Sequence, residues 1–98
     1  MAKKRVSADD LIAVILKAVD DVKAINIEIL DLREIENTVC DYFIICSGTS
    51  NTHVNAISGM IQKQAGKICK EKPWHVEGEG NAEWILLDYV NVVVHVFQ

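Results

Sequence analysis

The sequence predicts an α/β fold: a mixed sheet of about five strands flanked by helices, with residues 1–98 forming one domain. Three observations carry this. Apolar residues recur at helical spacing from Ser7 to Lys23 and again from Ser50 to about Cys69. Between these helices lie two strand patterns, INIEILDL and DYFIICSG. Two more, AEWILLDY and NVVVHVFQ, close the chain beyond Pro73, with Trp74–Glu77 as a further short candidate strand.

Each element has a local reason. Ser7 can cap the first helix, and Asp10, three positions on, can bond back in the manner of a capping box. Leu11, Ile15, Val19 and Val22 share one face, and Ile12 and Leu16 widen it, so much of this helix should be buried. Asp20, Asp21 and Lys23 fall toward solvent. Ile25, Ile27 and Ile29 alternate with Asn26 and Glu28, which predicts a strand with one wetter face. Arg33–Cys40 reads as a polar connection. Tyr42–Cys46 is apolar at every position and so predicts a central strand covered on both faces. Ser50 or Asn51 can cap the second helix, whose buried face is marked by Val54, Ile57, Ile61, Ala65 and Ile68. Gly59 and Gly66 cost it about 1 kcal/mol each against alanine unless close packing needs the missing side chains.

Composition narrows the function classes. The net charge is −4, a poor basis for direct nucleic-acid binding, which draws most of its affinity from neutralised phosphates. It suits a basic protein partner, or solubility alone. Asp9 and Asp10 interrupt the basic start before any apolar signal core. The longest apolar stretches are six residues, far below the ~20 that span a bilayer. The protein is expected to be soluble and cytoplasmic, with no membrane contact. Cys40, Cys46 and Cys69 form no C-x-x-C pair, and His53, His75 and His95 are scattered, so buried reduced thiols are expected and no metal site.

The stretch CSGTSNTHVNAI, from Cys46 to Ile57, runs from strand through small residues into helix, as many phosphate-binding loops do. After Gly48, however, there is neither the second glycine and lysine of a Walker loop nor the glycines of a dinucleotide loop. The same strand, Gly48-Thr49-Ser50 and helix resemble the start of a nucleotidyltransferase site. Those enzymes hold two metals on paired carboxylates, and this chain has no Asp-x-Asp. Glu34/Glu36 precede the loop, and Glu77/Glu79 alternate with Gly78 and Gly80, where a turn is the plainer reading. A Cys46–His53 pair lacks any group to orient the histidine. No cofactor and no catalytic residue is expected.

Most of the chain resembles the Iojap family, the bacterial ribosomal silencing factors. The matching stretches are Asp41–Ser50 (DYFIICSGTS), His53-Val54, Glu77-Gly78, Glu83–Tyr89 (EWILLDY) and Val92–Phe97 (VVVHVF), and the first helix and the ILDL strand also fit. The resemblance implies a nucleotidyltransferase-related fold without the catalytic carboxylates. It also implies binding to the large ribosomal subunit, through ribosomal protein fourteen at the intersubunit face, so that the small subunit is sterically kept from joining. Two departures stand out. Val90-Asn91 occupies a turn where the family usually has glycine, which implies an altered or strained turn. The family pattern also continues past Phe97 into an Arg- and Tyr-containing segment, whereas this sequence ends at Gln98.

Candidate partner-binding residues follow from both readings. On a period of two, Trp84, Leu86 and Asp88 share one strand face, and Glu83, Ile85, Leu87 and Tyr89 the other. Trp84 beside carboxylates suits an anchor with an acidic rim; a core tryptophan is the alternative. Glu77 and Glu79 can pair with a basic partner or simply be solvated. His95 faces opposite to Val92, Val94 and Val96, and Tyr89 suits an interface or a strand end. The leading expectation is a non-enzymatic translation repressor. The competing ones are a small nucleotidyltransferase-like enzyme using Gly48-Thr49-Ser50 and an adaptor that homodimerises through an edge strand near the C-terminus.

Overall fold

The computed structural model describes residues 8–35, 40–78, 80 and 83–98. The Ser7 cap, Glu36, Glu79 and part of the 33–40 connection lie outside the described residues. Helix α1 spans Ala8–Asp21, strand β1 Ile25–Asp31, β2 Tyr42–Ser47 and α2 Asn51–Gln64. A π-helical turn, Ala65–Cys69, continues α2, and β3 (His75–Glu77), β4 (Trp84–Asp88) and β5 (Val92–Phe97) follow.

The five strands form one mixed sheet in the order β1-β2-β5-β4-β3. Only β2 and β5 run parallel; the other three pairs are antiparallel. The parallel pair arises because α2 carries the chain back before the last strands pair. β5 holds the centre.

Both helices lie on one side of the sheet. Leu11, Ile15, Ala18 and Val19 of α1 and Val54, Ile57 and Ile61 of α2 pack on Tyr42, Ile44, Cys46, Ile85, Leu87, Val94 and Val96. Register explains why these sheet residues share a face: Ile44 pairs Val94, which pairs Leu87, and Cys46 pairs Val96, which pairs Ile85. Burial of these aliphatic side chains, each worth about 1.5–3 kcal/mol, is the main force holding the helices down.

Three expectations are corrected. β2 is interior to the sheet, but only alternate residues are buried, since among the described residues no helix covers the side carrying Phe43 and Ile45. β1 is an edge strand exposed at all seven positions, so neither of its faces is dry. A register shift between Ile25 and Glu28, with Asn26 at φ 54°, also interrupts the simple alternation. Ile68 is 61% exposed, because the wider π-helical turn rotates Cys69, 4% exposed, onto the core face in its place.

The expected start of α2 holds. Ser50 caps α2, its hydroxyl accepting from the His53 N–H at 3.1 Å. All three cysteines are buried and free.

Candidate functional site

The sheet side opposite the helices presents a cluster of rings. Cross-strand register places Trp84 beside Phe97, Leu86 beside His95, His95 beside Ile45, and Val93 beside Phe43. Trp84 stacks on His95 with centroids 5.8 Å apart, and its indole lies 6.2 Å from the Phe97 ring. His95 and Phe97 are nearly coplanar in orientation, 7° apart, and Phe43 meets His95 edge-on at 5.1 Å. Such ring pairs add about 0.5–1.5 kcal/mol each beyond their burial, so the cluster forms a stiff platform. Trp84 and His95 are half-buried and Phe97 is 38% exposed, which leaves ring surface open to a partner.

Polarity within the platform is specific. Trp84 Nε1 donates to His95 Nδ1 at 3.3 Å. Burial holds the His95 imidazole below its ordinary pKa, so the neutral ring is favoured.

The rim is acidic. Glu77 and His75 lie on the same sheet side, opposite Leu86 and Asp88, and the two form an exposed pair at 2.9 Å. The half-buried Asp88 accepts from the Val90 N–H at 2.8 Å, so one oxygen holds the β4–β5 turn. Four of the six sequence-derived candidates, Trp84, Glu77, Asp88 and His95, therefore come together. Glu79 lies outside the described residues. Tyr89 does not join them: it points to the helix side, is 5% exposed, and its buried hydroxyl has no hydrogen-bond partner among the described residues. That burial raises its pKa well above the ordinary phenol range. Phe43 and Phe97 were missed, although applying the period of two to β2 and β5 together aligns both with His95.

The strand–helix loop is occupied by its own residues. The Thr49 N–H donates to His53 Nδ1 at 2.8 Å, and Ser50 satisfies the N–H groups of His53 and Val54. With Nδ1 accepting, His53 Nε2 carries the proton and donates to the Val22 carbonyl at 2.7 Å, pinning the end of α1 to the start of α2. Gly48 is buried, and a Cβ there would stand 3.0 Å from the Val54 nitrogen. The glycine thus serves close strand–helix packing. Cys46 is fully buried and its thiol is pushed up to about 11 by desolvation, while both nitrogens of His53 are engaged elsewhere. The pair is not arranged as an activated nucleophile.

Among the described residues, no group of three or more His, Cys, Asp or Glu side chains is placed to hold a metal ion. No helix among them is long and apolar enough to cross a membrane.

The fold and site define a small α/β domain with a helix-covered back and an aromatic, acid-rimmed open front. The family described as "Ribosomal silencing factor during starvation" matches residues 5–98. The ribosomal silencing factor RsfS of Halalkalibacterium halodurans is 37% identical over 91 residues, covering 93% of this chain and 76% of that protein. Its Bacillus subtilis counterpart is 44% identical over 82 residues, covering 82% of this chain and 66% of that protein. A shorter match, 33% identical over 58 residues, covers 57% of this chain and 25% of the mouse protein named mitochondrial assembly of ribosomal large subunit protein 1. A crystal structure of a Chromobacterium violaceum protein superposes with a TM-score of 0.86 at 27% identity, covering 94% of this chain and 75% of that one. The chain belongs to the ribosomal silencing factor family.

Proposed function

We propose that this protein silences ribosomes by binding the large subunit and works without catalysis. The observation that carries the reading is the Trp84–His95–Phe97 platform, ring surface left open beside the carboxylates of Glu77 and Asp88. Rigid aromatic anchors inside a charged rim suit a basic protein surface, with the rings supplying most of the affinity and the acids the steering. Ribosomal protein fourteen of the large subunit, which the family resemblance implies, is the proposed contact. A domain seated at the intersubunit face excludes the small subunit by occupying its place. The site of action is the cytoplasm.

The names of the relatives support a ribosomal role, and none names a reaction. The closed hydrogen bonding of the Gly48–Ser50 loop supports a non-enzymatic reading over a nucleotide-binding one. Co-sedimentation tests it. The protein should travel with isolated large subunits and not with joined ribosomes, and Trp84→Ala or Glu77→Lys should weaken that association while circular dichroism stays unchanged. Parent-like binding by both variants would put the contact on another face. Micromolar, magnesium-dependent nucleotide binding would instead favour the enzyme.

A further inference from the structure

The back of the molecule carries a second surface of opposite character. No Asp or Glu occurs between Asp41 and Glu71, and that span includes all of α2. Val54, Ile57, Ser58 and Ile61 face the core, whereas Thr52, Asn55, Ala56, Gly59, Lys63 and Lys67 are exposed. Lys70, which ends the π-helical turn with φ 57°, and Lys72 are exposed as well. Four of the chain's ten basic residues thus fall within residues 63–72, in a protein of net charge −4. Neither Lys63 nor Lys67 forms an ion pair among the described residues.

Gly59 supplies a second, independent observation. A Cβ at this position would meet nothing within 4 Å, so internal packing does not require the glycine. It nonetheless sits in the middle of a helix, where it costs about 1 kcal/mol relative to alanine. What it provides is a low point on the exposed face, flanked by Ala56 and by polar donors, with the lysines one turn further on.

We propose that the outer face of α2, from Thr52 to Lys67 and on to the lysines at 70 and 72, seats the sugar–phosphate backbone of RNA. The charge is complementary, α2 itself carries no carboxylate to repel phosphate, Glu71 being the one acid set among the lysines beyond it, and the shallow centre admits close backbone approach. Phosphate contacts carry no base specificity. The surface therefore fits an overall acidic protein that does not select a sequence. On the proposed ribosomal target, RNA borders protein, so this face would add an electrostatic hold behind the ring platform. Only the identification of the RNA as ribosomal rests on the proposed function.

Fluorescence anisotropy of a fluorescein-labelled RNA duplex, titrated with the full chain over a range of potassium chloride concentrations, tests the proposal. The logarithm of the association constant should fall with the logarithm of salt concentration by about 0.9 per phosphate neutralised, giving a slope of about −3.6 when all four lysines engage. Lys63→Ala with Lys67→Ala should reduce the steepness by about 2. Gly59→Leu should weaken binding, and Trp84→Ala should leave it unchanged. Absence of salt-dependent binding, parent-like behaviour of the double lysine variant or of Gly59→Leu, or equally tight binding of polyglutamate or phosphatidylserine vesicles overturns the proposal. The two readings fail separately. Trp84-dependent subunit binding without RNA binding removes this face alone, whereas lysine-dependent RNA binding without subunit binding removes the proposed function alone.

Discussion

Trp84 donates its indole N–H to Nδ1 of His95 across 3.3 Å, and this bond places the histidine proton on Nε2. Two residues eleven positions apart meet because the β4–β5 hairpin sets them diagonally, two residues out of register, on the same face. The indole thereby gains an acceptor and the imidazole a fixed tautomer, which orients both rings without a charge.

A pH dependence follows. The groups facing His95 are Phe43 and Ile45 on β2, Trp84 and Leu86 on β4 and Phe97 on β5 itself, none of them ionisable, and burial lowers its pKa. As pH falls below about 6.5, the unfolded chain takes up a proton that the folded one resists, so stability declines until the folded value is passed. Above about pH 7 the contribution is constant. Urea unfolding of the parent and of His95→Phe should show the parent losing stability relative to the variant as pH drops. A pH-independent difference would mean the imidazole is not held neutral.

Val90 sits at φ 76°, with the Asn91 N–H bonded back to the Tyr89 carbonyl at 3.0 Å, a tight γ-type turn around a β-branched residue. Left-handed backbone costs a non-glycine residue about 1–2 kcal/mol, partly offset here by the freedom glycine would regain on unfolding. Val90→Gly should therefore stabilise the fold by about 0.5–1 kcal/mol, raising the melting temperature by several degrees. Calorimetry checks the sign.

Gly48→Ala should act in the opposite direction. The added Cβ would stand 3.0 Å from a backbone nitrogen, 3.1 Å from Val54 Cγ2 and 3.2 Å from Ile57 Cδ1. A side chain can rotate away, but the start of α2 cannot move without disturbing the cap. A loss of about 1–3 kcal/mol is expected in denaturant titration.

His53→Ala should cost about 1–3 kcal/mol, because it strands the Thr49 N–H and the Val22 carbonyl together. Hydrogen exchange should localise the loosening to the end of α1 and the start of α2. Uniform loosening throughout the sheet would indicate that His53 is not the pin between them.

Much of the fold was legible because its signals are local. The spacing of Leu11, Ile15 and Val19, the Ser50 cap and the alternation in β4 and β5 each follow from neighbours in the chain. The errors were non-local. The unbroken apolar run of β2 suggested two covers, yet its second face is shielded by Phe43 and its cross-strand partners, which only the pairing reveals. The exposure of Ile68 depends on a change of helical pitch that no periodicity of 3.6 anticipates. Trp84 and His95 were identified singly, but their contact requires knowing that β4 and β5 are adjacent. Parity rightly grouped Tyr89 with Ile85 and Leu87, but its polar tip suggested an interface that its burial rules out.

Strand β1 has a further consequence. It ends the sheet on one side and shows Ile25, Ile27, Ile29 and Leu30 to water, a margin of the kind that recruits other chains into fibres. The displaced register at Asn26 and the carboxylates of Glu28 and Asp31 spoil that margin as a template. Self-avoidance here thus hangs on very few side chains, and Glu28→Val would convert a quiet border into a sticky one, visible as concentration-dependent light scattering.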